Sequence, residues 1–76
     1  MSEERLMDAR GHRCPVPTLK LRKALETMLG GSTVRLIADD PMARIDVPHF
    51  AAEAGHKVLS VDPLGQAVVF TVRKVA

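Results

Sequence analysis

A stretch with helical periodicity lies between two short runs of β-type residues, and this order constrains the fold more than any other feature of the chain. Within residues 15–29, apolar side chains recur at i, i+3, i+4 and i+7, which is the spacing of one helix face. Gly30 and Gly31 are predicted to end this helix, because glycine adopts the left-handed conformation without a side-chain clash. A strand, a helix and a strand in this order predict a parallel pair with a crossover helix. The apolar positions of the helix are Leu21, Ala24, Leu25 and Met28.

The remaining segments predict a second helix and a β-hairpin. Pro48 would interrupt a helix that began at Pro41, so we divide residues 41–54 into a helical turn and a separate helix. Asp46 is predicted to cap that separate helix, and Gly55 to follow its end. The predicted elements are a strand at 6–9, the helix at 15–29, a strand at 33–39, a turn at 41–45, a helix at 47–54 and strands at 57–63 and 67–75, with "PLGQ" as the hairpin turn.

The predicted order β-α-β-α-β-β indicates an α/β (α+β) fold, a two-layer sandwich. It would contain a mixed four-stranded sheet with two helices on one face. The 76 residues suffice for a single small domain, 1–76, with a thin core. The other sheet face would be uncovered. If Ile37, Val69 and Val75 point that way, they could form a surface for a partner or for self-association.

Composition places the chain among globular proteins of a reducing compartment. Hydrophobic residues make up 46% of the chain and charged residues 26%, and no apolar run approaches the length that crosses a bilayer. The first ten residues carry acids and arginines and lack the apolar core of a signal peptide. The single cysteine cannot form an intramolecular disulfide. We expect a cytoplasmic monomer with no membrane association.

The cysteine stands in the stretch "GHRCPVPT", residues 11–18. With Cys14 at the N-cap of the first helix, Pro15 and Pro17 fall at N1 and N3, where a missing N–H removes no helical hydrogen bond. The Val16 N–H and the positive end of the helix dipole would then point at the sulfur, and Arg13 precedes it directly. Each of these effects favours a reactive thiolate. The alternative is a buried cysteine that packs as a small hydrophobic residue.

The residue types around this thiol exclude several chemistries and leave one. No second cysteine is present to form a C-x-x-C redox pair, and so small a domain does not promise the base, orienting group and oxyanion hole of a cysteine hydrolase. His12, Cys14, His49 and His56 lack the spacing of a structural zinc site, so we predict neither metal nor cofactor. Carriage of a sulfur atom remains, accepted as a persulfide from one protein and handed to another.

Positive charge is concentrated around the cysteine. No acidic residue occurs between Ala9 and Leu25. Such a cluster could attract an acidic protein, a phosphate-bearing ligand or RNA, or it could be a solvated helix face. Its members that are candidates for partner docking are Arg10, Arg13, Lys20, Arg22 and Lys23.

The stretch "DARGHRCPVPTLKLRKAL" resembles the signature of the TusA/SirA family of small sulfur carriers, whose hallmark is a C-P-x-P motif at the start of the first helix. "ADDPMARIDVPHF", the Gly55-His56 pair and "FTVRK" resemble the family as well. The resemblance implies the same two-layer sandwich. It also implies that Cys14 carries persulfide sulfur from a cysteine desulfurase or a rhodanese-like donor to an acceptor protein. On this analogy Pro15 and Pro17 shape the motif, and a docking surface consists of Arg13, Lys20, Arg22 and Lys23.

Two positions depart from relatives of this family. Members that serve tRNA thiolation resemble "CPEP", whereas this chain has Val16 between the prolines, and Ala51 stands where some relatives carry a second cysteine. Sulfur oxidation, molybdenum-cofactor maturation and thiosulfate handling stay open beside tRNA thiolation. His49 and His56 are candidates for docking or proton transfer, against a structural or surface role.

The alternative function is a small RNA-binding or regulatory module that uses the basic face of the first helix. The chain has no Trp or Tyr and only two phenylalanines, Phe50 and Phe70, so it offers little aromatic surface for stacking bases. Any direct binding of nucleic acid would therefore be weak and would depend on charge.

Overall fold

The computed structural model describes residues 3–13 and 16–75, which form four strands and two helices. Their order confirms the β-α-β-α-β-β prediction. Cys14 and Pro15, which carry the predicted N-cap and N1 positions, lie outside the described residues. The elements are β1 (Glu4–Asp8), α1 (Val16–Thr27), β2 (Thr33–Ala38), α2 (Ala43–Ala54), β3 (Lys57–Leu64) and β4 (Ala67–Arg73).

The strands form one mixed sheet in the order β1-β2-β4-β3. β1 and β2 are parallel, as expected for a pair joined by a crossover helix, and β4 is antiparallel to both of its neighbours. β3 and β4 form a hairpin whose last residue pair is Leu64 and Ala67. The connection is therefore shorter than the predicted "PLGQ" turn, because Pro63 and Leu64 belong to β3. Gly65 there has φ +60°, a conformation that glycine adopts readily. β1 and β3 are the edges of the sheet.

The core lies between the two helices and one face of the sheet. Leu36 and Phe70 are directly paired on β2 and β4, and both are fully buried. Val34 and Val72 form the next pair on the same face and are fully buried too. Both helices contribute to this cluster, which confirms that they cover a single layer. Their buried side chains in it are Leu21, Ala24, Leu25, Ala43, Val47 and Ala51, and Met28 joins them from just beyond α1.

α1 ends earlier than the glycine signal predicts. The helix stops at Thr27, and the residue with positive φ is Gly31, four positions later, at +87°. The Lys74 ammonium donates hydrogen bonds to the carbonyls of Leu25, at 2.5 Å, and Met28, at 2.6 Å. A cation from the other end of the chain therefore satisfies carbonyls that the end of a helix leaves free.

α2 is one continuous helix, so the prediction of a turn followed by a separate helix is wrong. Asp46 is not a cap; it lies in the first turn, and its N–H donates to the Met42 carbonyl at 2.8 Å. Pro48 lies inside the helix and lacks the N–H that would reach the carbonyl of Arg44. Because Arg44 is exposed, water can replace that one bond. The loss of a single hydrogen bond at a solvated turn does not divide the helix.

The end of α2 confirms the prediction for Gly55. This residue has φ +81°, and its N–H donates to the Ala52 carbonyl at 3.3 Å. The His56 N–H donates to the Ala51 carbonyl at 2.8 Å. The two bonds form a Schellman motif, which turns the chain from the helix into β3.

The uncovered sheet face carries Ile37 and Val69, two of the three residues named for it from the sequence. Ile37 points to that face but is only 8% exposed, because it lies in an interior strand with Val69 directly opposite. Val69 is half-buried, and Val75 lies beyond the end of β4. The most exposed large apolar side chain of the described residues is Leu6, in edge strand β1. No helix in residues 3–13 or 16–75 has the length and hydropathy to cross a membrane.

Candidate functional site

The carboxyl ends of β1 and β2 lie at the same edge of the sheet because the two strands are parallel. The loop that leads into α1 and the loop that leads into α2 both start there. Between them is an open hollow of about 510 Å³. Its lining consists of Gly11, His12, Arg13, Asp39, Asp40 and Pro41.

A tight turn after β1 fixes the chain that precedes the cysteine. The His12 N–H donates to the Ala9 carbonyl at 3.3 Å, and Gly11, the third residue of the turn, has φ +84°. The Gly11 N–H donates to both carboxylate oxygens of Asp39, at 3.0 and 3.1 Å. This contact ties the loop before Cys14 to the end of β2.

The "ADDP" segment, residues 38–41, connects β2 to α2. Asp39 follows the last residue of β2, and Asp40 precedes α2. The Asp40 carboxylate accepts the Met42 N–H at 2.9 Å, and the Asp40 carbonyl accepts the Ala43 N–H at 3.0 Å. These bonds satisfy donors at the start of α2.

The described residues on either side of the cysteine are Arg13 and Val16. The Val16 N–H donates to the Arg13 carbonyl at 2.9 Å, and the predicted contact of this N–H with the sulfur of Cys14 lies outside the described residues. Pro17 is buried and is the second residue of α1, where the absence of an N–H removes no helical bond. Cys14 and Pro15 themselves are not described, and their assignment as carrier residue and shaping proline stays a prediction.

Arg10 is engaged by a neighbouring carboxylate. Its guanidinium donates to the two oxygens of Asp8, at 2.9 and 2.7 Å, and its backbone N–H donates to the same carboxylate at 3.0 Å. The hydrogen bond from the Arg10 side chain lowers the pKa of Asp8 to about 2, and Asp8 raises the pKa of Arg10 in return. Both side chains are about half exposed, so the pair orders the start of the turn and neutralises one of the predicted docking charges.

The other predicted docking residues extend from the hollow along α1. Arg13 lines the hollow. Lys20 and Lys23 lie on the side of α1 that faces β1. Arg22 lies in an ion pair with Glu26 at 3.4 Å and also lines a depression that reaches α2. Arg22 and Lys23 also line one open depression together with Leu19 and Glu26, and the docking role of the cationic run stays a prediction.

Two features of the hollow were missed by sequence reasoning. The carboxylates of Asp39 and Asp40 line it together with His12 and Arg13, so its charge is mixed. Exposed apolar side chains also flank the starts of both helices. The mixed charge could have been predicted from the parallel pair β1 and β2, because the carboxyl ends of parallel strands meet at one edge of the sheet. The exposed apolar side chains could have been predicted from apolar residues that lie outside the buried face of each helix. These apolar residues are Val16, Leu19, Met42 and Ile45, which are 38–62% exposed.

The two later histidines lie away from the residues that line the hollow. His49 is exposed on α2 and lies 3.1 Å from the Glu53 carboxylate. His56 follows the Schellman motif, and its ring centroid is 6.1 Å from that of Phe50. Its Nδ1 is buried and has no hydrogen-bond partner among the described residues. Burial lowers the pKa of His56, and the positive charge of Lys74 adds to this shift.

Comparisons with known proteins agree with this geometry. A solved structure of a SirA-like protein from Desulfitobacterium hafniense superimposes with a TM-score of 0.82 and 23% sequence identity, over 95% of this chain and 99% of that one. This similarity shows that the two proteins share a fold. A sequence model described as "Sulfurtransferase TusA" matches residues 5–74, nearly the whole chain. The chain therefore belongs to the TusA family of sulfurtransferases.

Proposed function

We propose that the protein is a sulfur carrier whose Cys14 accepts sulfane sulfur as a persulfide and relays it to an acceptor protein. The observation that carries the proposal is the position of the sole cysteine in a chain of this family. It follows Arg13, which lines the open hollow, and comes two residues before the start of α1. The donor would be a cysteine desulfurase or a rhodanese-like protein. The whole chain, 1–76, would act as one carrier domain in the cytoplasm.

The transfer is a thiolate displacement at sulfur. The Cys14 thiolate attacks the terminal sulfur of the donor persulfide, a new S–S bond forms, and the S–S bond of the donor breaks. The donor cysteine leaves as a thiolate, and Cys14 becomes a persulfide that keeps the donor's proton. No electrons are gained or lost overall, so the step needs neither oxidant nor cofactor. An acceptor thiolate repeats the same displacement on the Cys14 persulfide.

The surroundings of the cysteine suit a relay between proteins better than a catalytic cleft. The hollow is open, so a partner's loop can reach it. The exposed apolar side chains of Val16 and Leu19 on α1, and of Met42 and Ile45 at α2, lie at this same end of the molecule. We propose that they contact the donor and the acceptor in turn, with Arg13 as the nearest cation.

Intact-protein mass spectrometry tests the proposal directly. The protein is incubated with a cysteine desulfurase and cysteine, and in a parallel reaction with a rhodanese and thiosulfate. We expect a gain of one sulfur atom that a reductant removes and that the variant Cys14→Ser does not show. An unchanged mass with both donors, while each donor is shown to be active, would contradict the carrier function.

The RNA-binding alternative finds no support in the described residues. Phe70 is fully buried and Phe50 is half-buried, so neither presents an open ring for base stacking. A fluorescence anisotropy titration with single-stranded RNA at two salt concentrations separates the functions. Tight binding that Cys14→Ser leaves unchanged would favour the RNA module.

A further inference from the structure

A groove runs between edge strand β1 and one side of α1. Its volume is about 430 Å³, and among the described residues none lines both this groove and the hollow. α1 contributes positions 20, 23, 24 and 27, which form one stripe along the helix. The lining consists of Arg5, Met7, Lys20, Lys23, Ala24 and Thr27.

The backbone of β1 presents unpaired groups along this groove. The Glu3 carbonyl accepts the Thr33 N–H at 2.8 Å, and the Ala9 N–H donates to the Ile37 carbonyl at 2.8 Å. Because alternate residues of a strand bond to the same neighbour, residues 3, 5, 7 and 9 bond to β2. The N–H and carbonyl groups of residues 4, 6 and 8 therefore face away from β2, along the free edge, where another strand can pair with them.

The side chains of the groove combine an apolar floor with a cationic rim. Met7 packs against the core and forms the floor with Ala24. Arg5, Lys20 and Lys23 supply three positive charges, and none of the described residues that line the groove carries a carboxylate. Within residues 3–13 and 16–75, Lys20 and Lys23 have no ion-pair partner, whereas Arg5 pairs with Glu3 at 3.2 Å. Both members of that pair are exposed, so a competing carboxylate can replace Glu3 at little cost.

We propose that this groove binds an extended acidic segment of a partner protein, which adds to the sheet as a fifth strand beside β1. Backbone hydrogen bonds to Leu6 and Asp8 would supply affinity, and carboxylates on the helix-facing side would meet Lys20 and Lys23. An apolar side chain between those carboxylates would contact Met7. A second copy of this chain is a poor occupant, because pairing two β1 edges would bring two cationic rims together. The proposal goes beyond sulfur carriage and does not depend on Cys14.

A peptide probe tests the charge requirement. The probe is the fluorescein-labelled peptide Thr-Asp-Val-Leu-Val-Asp-Thr, and the comparison peptide carries Lys in place of both Asp residues. Binding of each peptide to the Cys14→Ser protein is measured by fluorescence anisotropy. We expect the acidic probe alone to bind and its affinity to fall as salt rises. Lys20→Glu with Lys23→Glu should weaken binding at least about tenfold. The charge-matched control, Arg44→Glu with Lys57→Glu, should stay within about twofold, because these exposed cations lie outside the groove.

The variant Leu6→Pro tests strand addition. Proline removes an N–H that faces the free edge and leaves the bonds between β1 and β2 in place, so we expect loss of binding with the fold retained. Amide hydrogen exchange of the protein with Leu6 intact gives a second readout, in which the peptide should slow exchange at Leu6 and Asp8. Equal binding by the groove variants, unprotected Leu6 and Asp8 amides in the complex, or a dimer in sedimentation without peptide would each overturn the proposal.

Discussion

Replacement of Lys74 by methionine should destabilise the protein more than a single substitution near the end of a chain usually does. The Lys74 backbone is held by two hydrogen bonds, a carbonyl that accepts the Gly31 N–H at 2.7 Å and an N–H that donates to the Ser32 carbonyl at 2.8 Å. This fixes the side chain so that its ammonium reaches the Leu25 and Met28 carbonyls at the end of α1. Methionine keeps the length of the apolar stem and removes only the charge and the donors.

The magnitude follows from the two bonds that are lost. A hydrogen bond to a charged group contributes about 1.5–3 kcal/mol, and the favourable charge at the helix end adds about 0.3–1 kcal/mol. The two bonds share one ammonium, and the site is half-buried, so water recovers part of the loss. We expect the free energy of unfolding to fall by about 2 kcal/mol, which for a domain of this size lowers Tm by roughly 8–16 °C.

Urea unfolding followed by circular dichroism measures this difference. Lys57→Met is the matched control, because Lys57 is exposed and makes no side-chain hydrogen bond among the described residues. Lys74→Arg should retain most of the stability, since it keeps a cation that can donate to both carbonyls. A loss below about 0.5 kcal/mol for Lys74→Met, equal to that of the control, would refute the capping role.

Three further predictions concern the helix cap, a titrating group and the sulfur site. Gly55→Ala should cost about 1 kcal/mol in urea unfolding, because φ is +81° and no atom lies within 4 Å of an added Cβ, so the cost is backbone strain alone. The pKa of His56 is lowered in the folded state, so the free energy of unfolding should fall as the pH drops below the pKa of the unfolded state, near 6.5. The variant His56→Gln should lack this pH dependence. A folded-state pKa of His56 at or above the unfolded value, measured by NMR titration, would contradict the prediction. Arg13→Glu should slow persulfide transfer to Cys14 about tenfold with little change in Tm, whereas Lys57→Glu, an exposed cation at the opposite end of the sheet, should leave the rate unchanged, and equal rates for both would exclude Arg13 from docking.

The prediction of the elements was correct in order because it rested on local pattern. The buried stripe of α1 recurs at the helical spacing, and the buried positions Val68, Phe70 and Val72 of β4 alternate. The errors occurred at the ends of elements. Pro48 suggested a break in α2, but its one missing bond falls beside an exposed turn. The end of α1 depends on Lys74, which no local pattern connects to that helix.

The candidate site could be predicted only in part. The "CPVP" motif and the family resemblance identified Cys14 and Pro15, which lie outside the described residues. The basic run from Arg10 to Lys23 was read as one cluster, whereas the fold pairs Arg10 with Asp8 and turns the lysines toward β1. A helix distributes neighbouring residues around its axis, so proximity in sequence does not give proximity on its surface.

The sequence by itself determined the order of the elements, the buried faces of α1 and β4, the glycine cap of α2 and the family, because each of these is encoded in local periodicity or in a contiguous motif. Tertiary structure alone decided which distant groups meet. It placed Asp39 against the turn at Gly11, Lys74 at the end of α1 and a cationic groove beside β1. The physical reason is that these contacts join residues separated by a strand or a helix, and only the packing of helices onto the sheet brings such residues within hydrogen-bonding distance.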